Sequence, residues 1–319
     1  MTPRENFINF FKDAAYEWTP TNVDQLQFRP AFIPDNIARG FVVQQNGYTG
    51  PFGGKDMFGI EWIYQEEQHG SMEAGHLFDD IEDWREHVVF PDLDAMDWEK
   101  CAEENKDYLQ TDKLIYTTIY SSFFERLISF VGFENAAIAL IDEDQCEAVA
   151  ELFDALADYY IRFISRLHRH FNVEMVEIHD DWGTQVSTMF SRETLDNLIM
   201  PRLRRVIEAA HEEGVIVELH SCGFIEDFVP AITASGVDTW MGQNNNDKKK
   251  LVELYGKDFR FGICILLDDP IPLDDMKAVI RSHLEEYAGK KVWLAIFGYV
   301  LTPAMHEALG EYVREYGLA

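Results

Sequence analysis

From residue 114 onward the apolar positions switch repeatedly between two spacings. Short β-branched and aromatic runs predict strands at residues 114–120, 173–178, 215–220, 237–241, 259–266 and 291–297. Between them, apolar residues three and four apart predict helices at 123–130, 147–170, 202–213, 225–235, 248–255, 272–287 and 302–316. Gly214 follows one of these helices where a left-handed C-terminal residue belongs, and Pro303 opens the last, where a missing N–H is tolerated. Met200-Pro201 is expected to interrupt or restart the helix that begins near Ser191. Strands alternating with helices imply parallel βαβ units.

The first hundred residues follow another pattern. Residues 4–16 place Phe7, Phe10, Phe11 and Ala14 at helical spacing. Residues 20–51 carry turn formers and aromatics, among them Phe28, Phe32, Phe41 and Tyr48, without a long helical period. Residues 53–62 predict a turn feeding a strand. Counting this region, the strands come near eight. The expected fold is therefore an α/β (β/α)8 TIM barrel with an N-terminal helical and irregular extension. It forms one domain over residues 1–319, in which 1–110 hold the extension and first barrel elements and 111–319 the regular βα units. No G-x-G-x-x-G follows a first strand, which argues against a dinucleotide-binding sheet.

Composition narrows the function classes. Hydrophobic residues make up 47% of the 319, enough for a large core. No apolar run reaches membrane-spanning length, and the N-terminus lacks the basic start and apolar stretch of a signal peptide, so a cytoplasmic location is expected. A formal net charge of −30 repels phosphate backbones and sets nucleic acid aside as a partner. Cys101, Cys146, Cys222 and Cys264 are few and widely spaced, which reads as reduced thiols or metal ligands rather than a disulfide framework.

In a barrel of this kind the chemistry sits where strands end and βα loops begin. Those ends carry Tyr120, His179-Asp180-Asp181-Trp182, His220-Ser221-Cys222, Gln243-Asn244 and Cys264. His220 and Cys222 are two apart on an extended segment, so imidazole and thiolate point the same way and can share one Zn2+. Cys264, at the end of a later strand, is the candidate third ligand. The plain alternative is a hydrogen-bonded histidine beside a half-buried thiol. In His179-Asp180-Asp181, adjacent acids cannot face the same side. One can serve the barrel mouth as acid, base or ligand orienter while the other caps a turn. Tyr120, Trp182, Gln243 and Asn244 are candidates for substrate contact, with an Asx-rich turn as the alternative for the last two.

At these residues the sequence resembles the uroporphyrinogen decarboxylase superfamily. The resemblance rests on Ile178 through Gln185, on Met200-Pro201-Arg202-Leu203, on Val217 through Gly223 and on Ala234 through Asp238, in family order. It implies a (β/α)8 barrel and one of two chemistries. Metal-free decarboxylation of a porphyrinogen would call for an arginine-rich N-terminal motif, where this chain has Gln27-Phe28-Arg29-Pro30. Methyl transfer to or from a corrinoid protein implies zinc on His220 and Cys222 and a distant cysteine. The family places that cysteine near Gly298-Tyr299, where this chain has none, so that Cys264, an acid or water is left to substitute for it.

The expectation is therefore a zinc methyltransferase of an O-demethylase system. It moves a methyl group from a small methyl ether, such as a methoxylated aromatic, to the corrinoid (cobalamin) of a partner protein. His179, Asp180 and Asp181 are its candidate catalytic residues, and a homodimer is among the expected assemblies. A non-catalytic binding barrel is the reading from another class.

Overall fold

In the computed structural model, which describes residues 1–68 and 70–317, ten strands form two sheets. They are β1 (Gln25–Gln27), β2 (Gly54–Lys55), β3 (Glu61–Gln65), β4 (Gly70–Glu73), β5 (Leu114–Ile119), β6 (Met175–His179), β7 (Ile216–Ser221), β8 (Thr239–Gly242), β9 (Arg260–Leu266) and β10 (Val292–Phe297). Seven of them make one parallel, barrel-like sheet in the order β1-β5-β6-β7-β8-β9-β10. The expected eight strands thus become seven among the described residues. The strand anticipated near residues 53–62 instead joins β2, β3 and β4 in a separate antiparallel sheet.

The sheet curls until β10 meets the chain just ahead of β1. One backbone hydrogen bond, Leu294 N to Pro20 O at 2.9 Å, joins them there. Asn22 extends the junction with its side chain. Its Nδ2 donates to Ile296 O and its Oδ1 accepts from Ile296 N, each at 3.0 Å. The carboxamide thereby reproduces the donor–acceptor pair that a backbone peptide would supply.

Strand alternation sorts the apolar residues into two cores. Outward-facing Val176, Ile178, Val217, Leu219, Trp240, Phe261 and Ile263 pack under the surrounding helices. Inward-facing Tyr116, Met175, Met241 and Trp293 close the lower interior together with Phe7, Phe10 and Phe11. Those phenylalanines lie on the helix Pro3–Phe11, whose Thr2 and Glu5 form a reciprocal N-terminal cap. That helix therefore plugs the barrel at the amino ends of its strands and leaves the carboxyl ends as the open face. Residues 28–113 arch over from β1 to β5. Arg126, fully buried, anchors this segment with ion pairs to Asp35 at 2.9 Å and Asp56 at 2.5 Å.

The α-helix restarts at Met200-Pro201, as expected. Arg192–Thr194 leads into a π-helical turn, Leu195–Ile199, and then into Met200–Glu212. Proline cannot donate to Asn197 O, and the wider turn relieves its ring from the preceding carbonyls. Arg202 supplies the missing donor, with Nη1 at 3.1 Å from Asn197 O and 3.4 Å from Leu198 O. Among the described residues no helix is long and apolar enough to cross a membrane.

Candidate metal centre

Register builds the site. β6 pairs with β7 so that Glu177 faces Glu218 and His179 faces His220, each pair one step further toward the open end. All four side chains point into the barrel, because strand alternation puts every second residue on one face. Just beyond the strands, Asp181 and Cys222 continue the two rows. One potential ligand atom from each of His179, Asp181, His220 and Cys222 lies within 4.8 Å of the others. His220 Nε2 is 3.5 Å from Cys222 Sγ, and His179 Nε2 is 3.2 Å from Asp181 Oδ1. The imidazole centroids are 4.6 Å apart.

The loops after β6 and β7 can approach this closely because both carry glycine. A Cβ on Gly223, whose φ is +81°, would stand 2.1 Å from Gly183 O. The approach lets Asp181 Oδ1 accept a hydrogen bond from Cys222 N at 2.7 Å. Gln243 and Asn246 hold the second loop from β8's side. Gln243 Oε1 accepts from Gly223 N at 2.8 Å, and Asn246 Oδ1 accepts from Ile225 N at 2.8 Å.

The electrostatics separate the two histidines. Burial, reinforced by positive His179, pushes His220 down to about 4, so it is a neutral imidazole at physiological pH. Burial also opposes the charge on His179. The negative charge of Glu125 and hydrogen bonding to Asp181, Cys222 and Glu177 outweigh it and hold that pKa well above the usual imidazole range. Asp181 is likewise buried, yet its hydrogen bond with His179 keeps it far below the ordinary carboxylate value. Burial pushes the Cys222 thiol up, against the pull of His179. Below the cluster, burial and the adjacent Glu177 carboxylate raise Glu218 well above its ordinary value and leave it a neutral acid.

The remaining candidates divide. Tyr120 stands at the mouth, its ring 5.9 Å from that of His179 and stacked on Phe41 at 5.0 Å, with its hydroxyl accepting from Arg29 at 2.9 Å. Asp180 is fully buried and turned away. It accepts from the amides of Phe123, Phe124 and Glu125 and from Trp182 Nε1, so it caps the helix Phe124–Val131. Trp182 is also fully buried, packed against Phe190 and Phe228 rather than facing the mouth. Gln243 is committed to the Gly223 loop, and Asn244 is exposed. Cys264 lies on β9, with β8 between it and β7, and is not in the four-residue group.

Sequence reasoning missed Glu125, Arg39 and Phe41. Glu125 Oε2 is 4.0 Å from His179 Nε2 and its Oε1 is 3.6 Å from Arg39 Nη2. Burial, against the pull of His179, lifts its pKa to about 7. Arg39 lies over the Trp62 ring at 4.4 Å and donates to Ser121 Oγ. The position of Glu125 just after the end of β5 was the available signal. Arg39 and Phe41 come from the arching segment, where local pattern says nothing of what the chain will cover.

Fold and site together define a parallel, barrel-like α/β protein with a mixed nitrogen, oxygen and sulfur donor cluster at the carboxyl ends of its strands. Residues 127–293, more than half of the chain, match the uroporphyrinogen decarboxylase (URO-D) family model, and the protein belongs to that family. A methyltransferase from Methanosarcina mazei has the same fold over 100% of both chains, with a TM-score of 0.72 and 15% identity. A sugar phosphate isomerase/epimerase from Parabacteroides distasonis is far less similar, with a TM-score of 0.39 and 10% identity over 72% of this chain and 81% of that one. No curated protein sequence matches significantly.

Proposed function

We propose that the protein is a zinc-dependent methyltransferase that takes a methyl group from a methyl ether, a methoxylated aromatic by preference, and delivers it to Co(I) of a partner corrinoid protein. The observation that carries this reading is the convergence of His179, Asp181, His220 and Cys222 at the open end of the barrel. The donor types fit zinc, which takes imidazole, thiolate and carboxylate together. The full-length fold match to a methyltransferase supports the choice between the family's chemistries.

His220 and Cys222 are the first residues to hold the ion, as neighbours at 3.5 Å whose imidazole is neutral. When bound, zinc stabilises the negative charge that develops on the ether oxygen as the methyl group leaves. Phe41 and Tyr120, stacked beside His179, offer a flat wall against which an aromatic ring can lie. Arg39 and Arg29 approach that wall from the arching segment and favour substrates with electron-rich or acidic substituents.

The test measures bound zinc and turnover together. Purified protein is expected to hold about one zinc per chain, and His220→Ala to lose both the metal and demethylation of methoxylated aromatics in the presence of a Co(I) corrinoid protein. Full turnover by a metal-free His220→Ala protein overturns the mechanism.

Porphyrinogen decarboxylation is a second reading, favoured by one observation. Arg29 and Arg39 bring two guanidinium groups together at Tyr120, and guanidinium groups suit substrate carboxylates. It predicts metal-independent decarboxylation that Arg29→Ala abolishes.

A further inference from the structure

We infer that the zinc shell of this chain is completed by His179 and Asp181 from the neighbouring strand, and not by a second cysteine. This rests on the zinc reading above and names the ligands that the reading leaves open.

Two edges of the cluster have the length of tetrahedral edges. Zinc bonds of roughly 2.0–2.3 Å place neighbouring nitrogen and sulfur ligands about 3.6 Å apart, and nitrogen and oxygen ligands about 3.3 Å apart. The corresponding separations are 3.5 Å for His220 Nε2 to Cys222 Sγ and 3.2 Å for His179 Nε2 to Asp181 Oδ1. The two edges come from adjacent strands in register, so they face one another across a single centre.

His179 also has the backing that ligand histidines carry. Its Nδ1 lies 3.6 Å from Glu177 Oε1, and Glu177 is fixed in turn by the Tyr116 hydroxyl at 2.5 Å. A carboxylate behind the far nitrogen orients the ring and directs Nε2 to the metal. Asp181 is held by its hydrogen bond from Cys222 N. Cys264 lies two strands from β7 and is not part of the four-residue group.

Four protein ligands leave zinc no open position. With zinc bound, Asp181 would be the ligand suited to give way to a substrate oxygen, because its carboxylate would keep the hydrogen bond from the Cys222 amide.

X-ray absorption at the zinc edge of the loaded wild-type protein reads the shell directly. One sulfur at about 2.3 Å with nitrogen and oxygen neighbours at about 2.0–2.1 Å is the expected result. Two sulfurs overturn the inference and leave the zinc reading standing. Zinc affinity, measured by competition with a chelating dye, supplies a second readout. Glu177→Gln is expected to weaken binding about 10–100-fold, and His179→Gln by more than about 100-fold. Cys264→Ser is expected to match wild type. The reverse order, with Cys264→Ser losing zinc and His179→Gln keeping it, overturns the inference. Should His179→Gln fail to fold, as judged by circular dichroism, the absorption spectrum of the wild type still decides. A wild-type protein that takes up no zinc overturns the inference and the zinc mechanism together.

Discussion

Gly223 and Gly183 touch backbone to backbone, and that contact sets how near Asp181 comes to Cys222. Gly223→Ala puts a methyl group against Gly183 O at a positive φ, so the loop must move. The expected cost is about 2 kcal/mol or more in urea denaturation, with weakened zinc uptake beside it. A stability within error of wild type would show that the loop relaxes freely.

His211, far from the site, offers a cleaner titration. Its Nε2 is 2.8 Å from Asp238 Oδ2, and that hydrogen bond raises its pKa. The folded protein then keeps the proton to higher pH than the unfolded chain. The stabilisation is full below the ordinary histidine value of about 6.5 and disappears as pH rises through the raised folded value. The pair is partly exposed, so its size stays below about 1 kcal/mol. His211→Gln is expected to flatten the stability curve in the window just above about pH 6.5, read by denaturation at stepped pH.

Not every residue of the site was legible in the sequence. His220 and Cys222 stand two apart across a strand's end, and continued alternation aims them together. His179 and Asp181 were visible as a second polar strand end. Their meeting with His220 depends on β6 and β7 being neighbours in register, which no local pattern encodes. Cys264 looked equivalent in sequence because strand ends look alike until the sheet order separates β9 from β7. The split of Asp180 from Asp181 follows the alternation rule, but which acid turns inward is decided by the helix start that Asp180 caps.

Among the elements, the helix through Pro201 shows a local fault repaired by a neighbouring side chain. The wide turn and the Arg202 guanidinium together satisfy the carbonyls that proline leaves open. Arg202 is also bidentate to Asp154 on the helix Cys146–Phe171, with contacts of 3.1 and 2.9 Å. Arg202→Ala is expected to lower stability by about 1–3 kcal/mol, and Arg202→Lys to recover only part of the loss, since an ammonium cannot span both partners. Chemical denaturation of the two variants checks the order. Most elements were readable from periodicity: the helix predicted at 248–255 is Lys248–Tyr255 in the structure. Apart from the turn and strand expected near residues 53–62, the stretch from residue 20 to residue 65 was not, because short strands paired antiparallel and a helix of six residues leave little period to count.

For the molecule as a whole, the open and closed ends of the barrel have different owners. The closed end depends on Phe7, wholly buried against Trp293 and Phe11. Phe7→Ala is expected to cost about 3–5 kcal/mol in unfolding free energy. A loss of less than about 1 kcal/mol would mean that the interior refills from elsewhere. Phe7 sits at the end of the barrel opposite His179 and His220, so zinc content serves as the control and is expected to stay at the wild-type level.

The junction at Asn22 sets a condition on how the chain is made. Its partner, Ile296, lies 274 residues later, so a ribosome must deliver all of the intervening chain before the clasp can shut. Until then the nascent protein carries two raw sheet margins, one at residues 20–22 and one on β9, both able to pair with a stranger. The last helix, Pro303–Gly317, emerges after the clasp and lies across it, with Gly310 against Val23. A chain cut short before Ile296 is therefore a sheet with open edges, and Pro303–Gly317 can seal the barrel only after the clasp has formed.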